Sequence, residues 1–196
     1  MYLDGQTYDS IESDVYELIE DFGLTEYPLS MRQVCAKLQI DLRPYSDLSA
    51  NAQTTAMEFS EDIFHIGGDY ARMNRFRFLY NDLKPVSRIQ YNIAHEIAHI
   101  ALNIVGETPY EEKEAEYFAG YLLAPDPLVH VHCPNLDIAD IQRKFDISHD
   151  AAEVVKNHVG ARRRCGKPWK RYEWSIVNIC TVKGVSRTLD DFQNSR

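Results

Sequence analysis

The stretch NIAHEIAHIAL, Asn92 to Leu102, sets two histidines and a glutamate inside an otherwise apolar helical run. Such groups are costly to bury unless something compensates them. His95 and His99 are four residues apart, so a helix puts both imidazoles on one face, one turn from each other. Glu96 falls beside them, where it addresses a water held by an ion rather than the ion itself. The pattern is HExxH, and its apolar flanks imply burial. A catalytic zinc takes three protein ligands and leaves the fourth position to water. It lowers the pKa of that water to about 7, and a carboxylate can then remove the proton during attack on a carbonyl.

Working outward, Val86, Ile89, Ile93, Ile97, Ile100 and Ile104 form the apolar stripe of this helix. Pro85 suits its first turn and Gly106 its end. A second helix follows almost at once. Thr108, Pro109 and Glu111 supply its cap, first-turn proline and capping box, and it runs to about Leu123 before APDP stops it. Glu112 and Glu116 border its stripe of Ala115, Phe118, Ala119 and Leu122, whereas Lys113 and Glu114 point away. This spacing favours Glu112 as third ligand, with Glu116 behind it orienting a histidine. Glu111, also near the stripe, competes for the ligand role. A HExxHxxGxxH site is excluded, because Leu102 and Val105 stand where Gly and His would be needed. A deformylase arrangement is excluded too, since the cysteine upstream, Cys35, sits in RQVCAKL.

These two helices resemble the hallmarks of the ImmA/IrrE family of zinc metallopeptidases, in the gluzincin group. One is an AHE-h-x-H helix, here Ala94 to His99. The other is E-x-x-A-[N/D/E]-x-F-A-x-x-L-L-x-P, here Glu112 to Pro125. The resemblance implies His95, His99 and Glu112 as ligands of one Zn²⁺ per chain, and Glu96 as catalytic base. Glu116 stands where the family more often has Asn or Asp. The likeness extends loosely to PLSMRQVCAKLQIDL and DIADIQRKFDISHDAA, covering about residues 10–157. It implies a cytoplasmic zinc endopeptidase that cuts a helix-turn-helix repressor or antitoxin and so relieves repression of a prophage, another mobile element or stress genes.

The rest of the chain frames these helices. Ile11, Val15, Leu18, Ile19 and Phe22 recur at helical spacing, with Asp9 as cap and Gly23 as stop. A short helix follows Ser30, with Gln33 completing a capping box. LQIDLRPY (38–45), TTAMEFS (54–60) and DIFHIG (62–67) read as strands, the last two as a hairpin. Residues 67–84 read as a lid or surface excursion. Residues 137–158 read as two helices and YEWSIVNICTV (172–182) as a late strand. Without βαβ alternation the class is α+β: a minimal gluzincin-like metallopeptidase, with a small antiparallel or mixed sheet on the HExxH helix and a helical C-terminal part. Residues 1–136 form the expected peptidase core. Residues 137–196 are expected to pack on it as one domain.

Composition sets the outer bounds. No apolar run reaches the roughly 20 residues that span a bilayer, and MYLDGQTYDS lacks the parts of a signal peptide. Four cysteines without a CxxC pair read as reduced thiols. The net charge of −9 argues against nucleic acid as partner. It is uneven, however. Residues 1–30 hold acids and no Lys or Arg, while residues 156–171 hold seven basic residues and no acid. A solvated basic stretch or the docking of an acidic partner are the two readings.

Other readings stay beside the protease. Residues 138–159 have a helix-turn-helix look, which suggests a DNA-binding regulator, or a protease fold that binds a repressor or antitoxin without cutting it. His130, His132 and Cys133 in HVHC suggest either a second metal site or a plain loop or strand. Tyr91, Tyr110, His149 and His158 are candidate oxyanion donors. The segment around Phe64 and Ile66 is a candidate edge for an added substrate strand.

Overall fold

The computed structural model describes residues 3–68, 75–104 and 108–183. The chain is mixed α and β, mostly helical with two small sheets. Helix α1 (Gly5–Asp21) begins earlier than the apolar periodicity suggested. Its cap is Asp4, whose carboxylate accepts from the backbone of Gln6 and Thr7 at 2.9 Å, and Asp9 lies inside the helix. Ile11, Val15, Leu18 and Ile19 face the core, and Gly23 stands at φ +58° just past the end. Strand β1 (Glu26–Tyr27) leads to α2 (Met31–Lys37). The capping box expected at Ser30 is not made. The Met31 amide instead donates to the buried Gln90 Oε1 at 2.7 Å, so a neighbouring helix supplies the cap.

The sheet that carries the site contains β2 (Asp41–Pro44), β3 (Ile63–Ile66) and β4 (Arg77–Tyr80), in the order β2-β4-β3. Strand β4 is parallel to β2 and antiparallel to β3, with His65 opposite Phe78. The expected hairpin is absent, because TTAMEFS is helical: it forms most of α3 (Ala50–Phe59). Its threonines look β-prone, yet Thr54 and Thr55 bond back to the carbonyls of Ala50 and Asn51 at 3.1 Å, and strong helix formers surround them. Ser60 ends the helix. Its Oγ accepts from the Asp62 and Ile63 amides and donates to the Ile63 carbonyl, which turns the chain into β3. Within the segment read as an excursion, residues 77–80 are the central strand, while 69–74 lie outside the described residues.

Helices α4 (Val86–Ala101), α5 (Pro109–Leu123), α6 (Asp126–His132), α7 (Ile138–Phe145), α8 (His149–Cys165) and α9 (Arg171–Ile179) follow, and β5 (Thr181–Val182) pairs with β1. The expected end of α4 at Gly106 lies outside the described residues; Leu102 caps it. One hydrophobic cluster runs from Leu3 to Cys180 and includes Ile141, Phe145, Ala152, Val155 and Val159 of α7 and α8. Cys35, Cys133 and Cys180 are buried free thiols, and Cys165 is exposed. No described helix is long and apolar enough to cross a membrane.

The late strand is mostly helix α9, and the reason is electrostatic. Glu173 is fully buried, and Arg162 of α8 grips both its oxygens, at 2.5 and 2.6 Å. Glu173 and Ile176 therefore point inward three residues apart, and Trp174 stays half exposed. Arg162 also lies 3.9 Å over the Trp169 ring. Part of the charge asymmetry is met within the chain: Lys170 pairs with Asp9 and lies 3.8 Å from Glu12, both on helix α1.

Arg162→Met should cost about 3–5 kcal/mol in urea unfolding, because it leaves Glu173 buried without a cation. Adding Glu173→Leu should recover much of the loss. A single variant as stable as wild type would show that the pair is not what seats α9.

Candidate metal centre

Two helices build the site. In α4, Ile89, Ile93, Ile97 and Ile100 anchor one face in the core, which turns the His95 and His99 side chains to the half-open edge. Pro85 occupies the cap position with extended ψ rather than the first turn. Helix α5 starts with the expected capping box. The Thr108 backbone N and Oγ1 both donate to Glu111 Oε2, at 3.0 and 2.6 Å, and the Glu111 amide donates to Thr108 Oγ1 at 3.3 Å. These bonds hold the Glu111 carboxyl below the usual carboxylate range. They also commit it to the helix end, which removes it from competition for the ion.

Glu112 faces the imidazoles. Its Oε2 lies 3.4 Å from His95 Nε2 and its Oε1 lies 3.6 Å from His99 Nε2, while the two Nε2 atoms are 3.0 Å apart. Ligand bonds of about 2.0–2.1 Å at tetrahedral angles place neighbouring ligand atoms about 3.3–3.4 Å apart. The three separations bracket that edge length, so this donor set fits a tetrahedral cation with one position open. Burial, then the neighbouring His95, push the His99 pKa down, which favours the neutral form that ligates. Among the described residues, His95, His99 and Glu112 are the one group of this kind.

Glu116 behaves differently from expectation. Its carboxylate pairs with Lys113, three residues back on the exposed side of α5, and not with a histidine. His95 Nδ1 is buried and has no hydrogen-bond partner among the described residues.

Glu96, only 14% exposed, has a partner that sequence reasoning missed. His65 of β3 reaches across, and its Nδ1 lies 2.5 Å from Glu96 Oε2. The His65 ring also packs against Phe76 and Phe78, which fix its plane. The signal was present: DIFHIG holds one imidazole in a short apolar strand.

Of the four candidate donors, Tyr91 adjoins the site, with its ring 6.3 Å from that of His95. Burial, then Glu116, push its hydroxyl up to about 12, so it keeps its proton at neutral pH. Tyr110 is bonded to Thr7 Oγ1 at 2.8 Å. His149 is an exposed residue at the start of α8, next to the cap Ser148, and His158 lies against Tyr117. HVHC is the end of α6, neither loop nor strand. There His130 Nδ1 accepts from Arg163 Nε at 3.0 Å, which ties the imidazole to α8.

The family model Peptidase_M78, described as the IrrE N-terminal-like domain, matches residues 53–154. That span runs from α3 into α8 and contains β3, α4 and α5. No curated protein and no solved structure gives a significant match.

Replacing Glu112 by Ala should lower zinc affinity by more than about 100-fold, since loss of a partner outside the ligand shell alone costs 10–100-fold. Replacing Glu111 by Ala should leave zinc content intact and cost about 1 kcal/mol of stability through the lost cap. Metal analysis and thermal unfolding of both variants separate the two glutamates.

Proposed function

Because the chain belongs to the IrrE N-terminal-like peptidase family, we propose that it is a zinc-dependent endopeptidase that cuts a protein substrate. The observation that carries this reading is the spacing of His95, His99 and Glu112 beside a glutamate that is itself held in place. His95, His99 and Glu112 would hold the ion. When bound, zinc lowers the pKa of a water to about 7 and polarises a carbonyl. Glu96 takes the proton of the attacking water and passes it to the leaving amine. His65 holds Glu96 Oε2, which leaves Oε1 as the proton acceptor. Tyr91, one turn before His95 and adjoining its ring, would be the donor to the oxyanion that develops on the substrate.

Strand β3 ends the sheet order, so one of its edges faces away from β4. An extended substrate segment adds there as a further strand, beside Glu96. Strand β4 separates β3 from α4 in the chain, but His65 brings the edge to the site nonetheless.

The regulatory reading follows the resemblance: the substrate is a helix-turn-helix repressor or antitoxin in the cytoplasm, and its cleavage relieves repression of a mobile element or of stress genes. Against direct DNA binding stands the burial of Ile141, Phe145, Ala152, Val155 and Val159, which makes the α7–α8 pair part of the core. The basic stretch after it is also partly spent. Arg162 holds Glu173, and Arg163 bonds the carbonyls of His130 and Pro134.

Co-expression with the product of the nearest helix-turn-helix gene, read by intact mass, tests this. Wild type should cut it. Glu96→Gln should retain zinc and lose about 10²–10⁴-fold in rate. An uncut repressor in a stable complex with the zinc-loaded wild type would point to binding without cleavage. His65→Gln should keep zinc content and lower kcat about 10-fold, with little change in KM, if His65 positions Glu96. Unchanged kcat would remove it from the mechanism.

A further inference from the structure

A cavity of about 690 Å³ opens between α1, α4, α5 and α8. It continues the two stripes that form the metal centre. On α4, Ser87 and Tyr91 line it at steps of four before His95; on α5, Glu116, Gly120 and Ala124 line it at steps of four after Glu112. Residues four apart share a helix face, so the cavity begins one turn from the metal-facing groups and runs away from them along the α4–α5 groove. Its size is that of a ligand site.

The walls are largely apolar, with Tyr8, Tyr117, Leu123 and Val155 among them. The inner end is acidic. Asp126 is 7% exposed, and Arg162, whose charge reaches its carboxylate, is held by both oxygens of Glu173. Tyr121, 3% exposed, has its hydroxyl buried without a hydrogen-bond partner among the described residues. Glu12, behind them, accepts from the Tyr117 and Tyr172 hydroxyls at 2.8 Å each. The cations at the rim are committed elsewhere: Arg88 holds Asp62 at 2.6 Å, and Lys113 holds Glu116. Burial, then Glu12, push the Asp126 carboxyl up to about 8. A buried acid without a cation of its own stays neutral until one arrives.

We propose that this cavity is a specificity pocket for a basic substrate side chain, Lys or Arg, several residues from the bond that is cut. The aliphatic stem lies along the apolar walls, and the charged head meets Asp126 and the Tyr121 hydroxyl. This inference rests on the endopeptidase reading.

The zinc-loaded full-length protein is incubated with peptides from a proteome digested by a Glu-specific protease, and new ends are mapped by mass spectrometry. Lys and Arg should be enriched at least fivefold at one fixed position several residues from the cut. For matched peptides from a mapped site, Lys should exceed norleucine by about 10-fold or more in kcat/KM, as charge-assisted hydrogen bonds warrant. Asp126→Asn should shrink that ratio to about threefold or less. Where Asp126→Asn fails to fold, Tyr121→Phe, which deletes one oxygen, should lower the ratio about threefold. Cleavage without Lys or Arg enrichment, or a ratio unchanged in the variant that folds, overturns the inference and leaves the endopeptidase standing. No cleavage of any peptide overturns both.

Discussion

The contact between α4 and α5 is the constraint on which the rest depends. It joins two imidazoles one helical turn apart to a carboxylate from the next helix. None of the three groups would tolerate this neighbourhood without a reason. Two half-buried imidazole nitrogens 3.0 Å apart need either a shared proton or a shared ion. The core supplies the force that holds them there. Ile93, Ala94, Ile97 and Ala98 are fully buried on one side of α4, and Ala115, Phe118, Ala119 and Leu122 are buried on α5. Alanines at the contact let the two backbones approach, which shortens the reach from Glu112 to the histidines.

A second layer of buried charge holds the C-terminal helices against this unit. Arg162 of α8 holds Glu173 of α9, and Glu12 of α1 accepts from Tyr172 of α9 and Tyr117 of α5. A buried pair of this kind is a poor source of net stability, but it is intolerant of misregister, because a shift strands a charge. It thus fixes where α9 sits relative to α8.

The sequence made the site legible because its chemistry is local. His95, Glu96 and His99 share one helix, and Glu112 follows within a helix whose cap, Thr108 with Glu111, is also written locally. The mixed α and β class, the helical nature of residues 137–158 and the strand β3 were legible for the same reason. What failed was non-local. TTAMEFS looked like a strand because its β-branched and aromatic residues outweighed Ala56, Met57 and Glu58 by eye. YEWSIVNICTV looked like one because nothing nearby announces that Arg162 draws Glu173 inward. Ser30 looked like a cap because Gln90, which replaces it, is sixty residues away in the chain. His65 on Glu96 belongs to this class too: the contact crosses from a strand to a helix. Glu116, expected to orient a histidine, has its carboxylate paired with a lysine one turn back.

The capping box of α5 has one more consequence. The clasp between Thr108 and Glu111 sets the rotational phase of the whole helix, and Glu112 is the very next residue. Each residue advances an α-helix by about 100°. One residue inserted between clasp and ligand would swing the carboxylate a quarter-turn or more away from the imidazoles while leaving the helix itself sound. The spacing between those two positions is therefore a timing mark, and divergence in this segment can change side chains far more freely than it can change length.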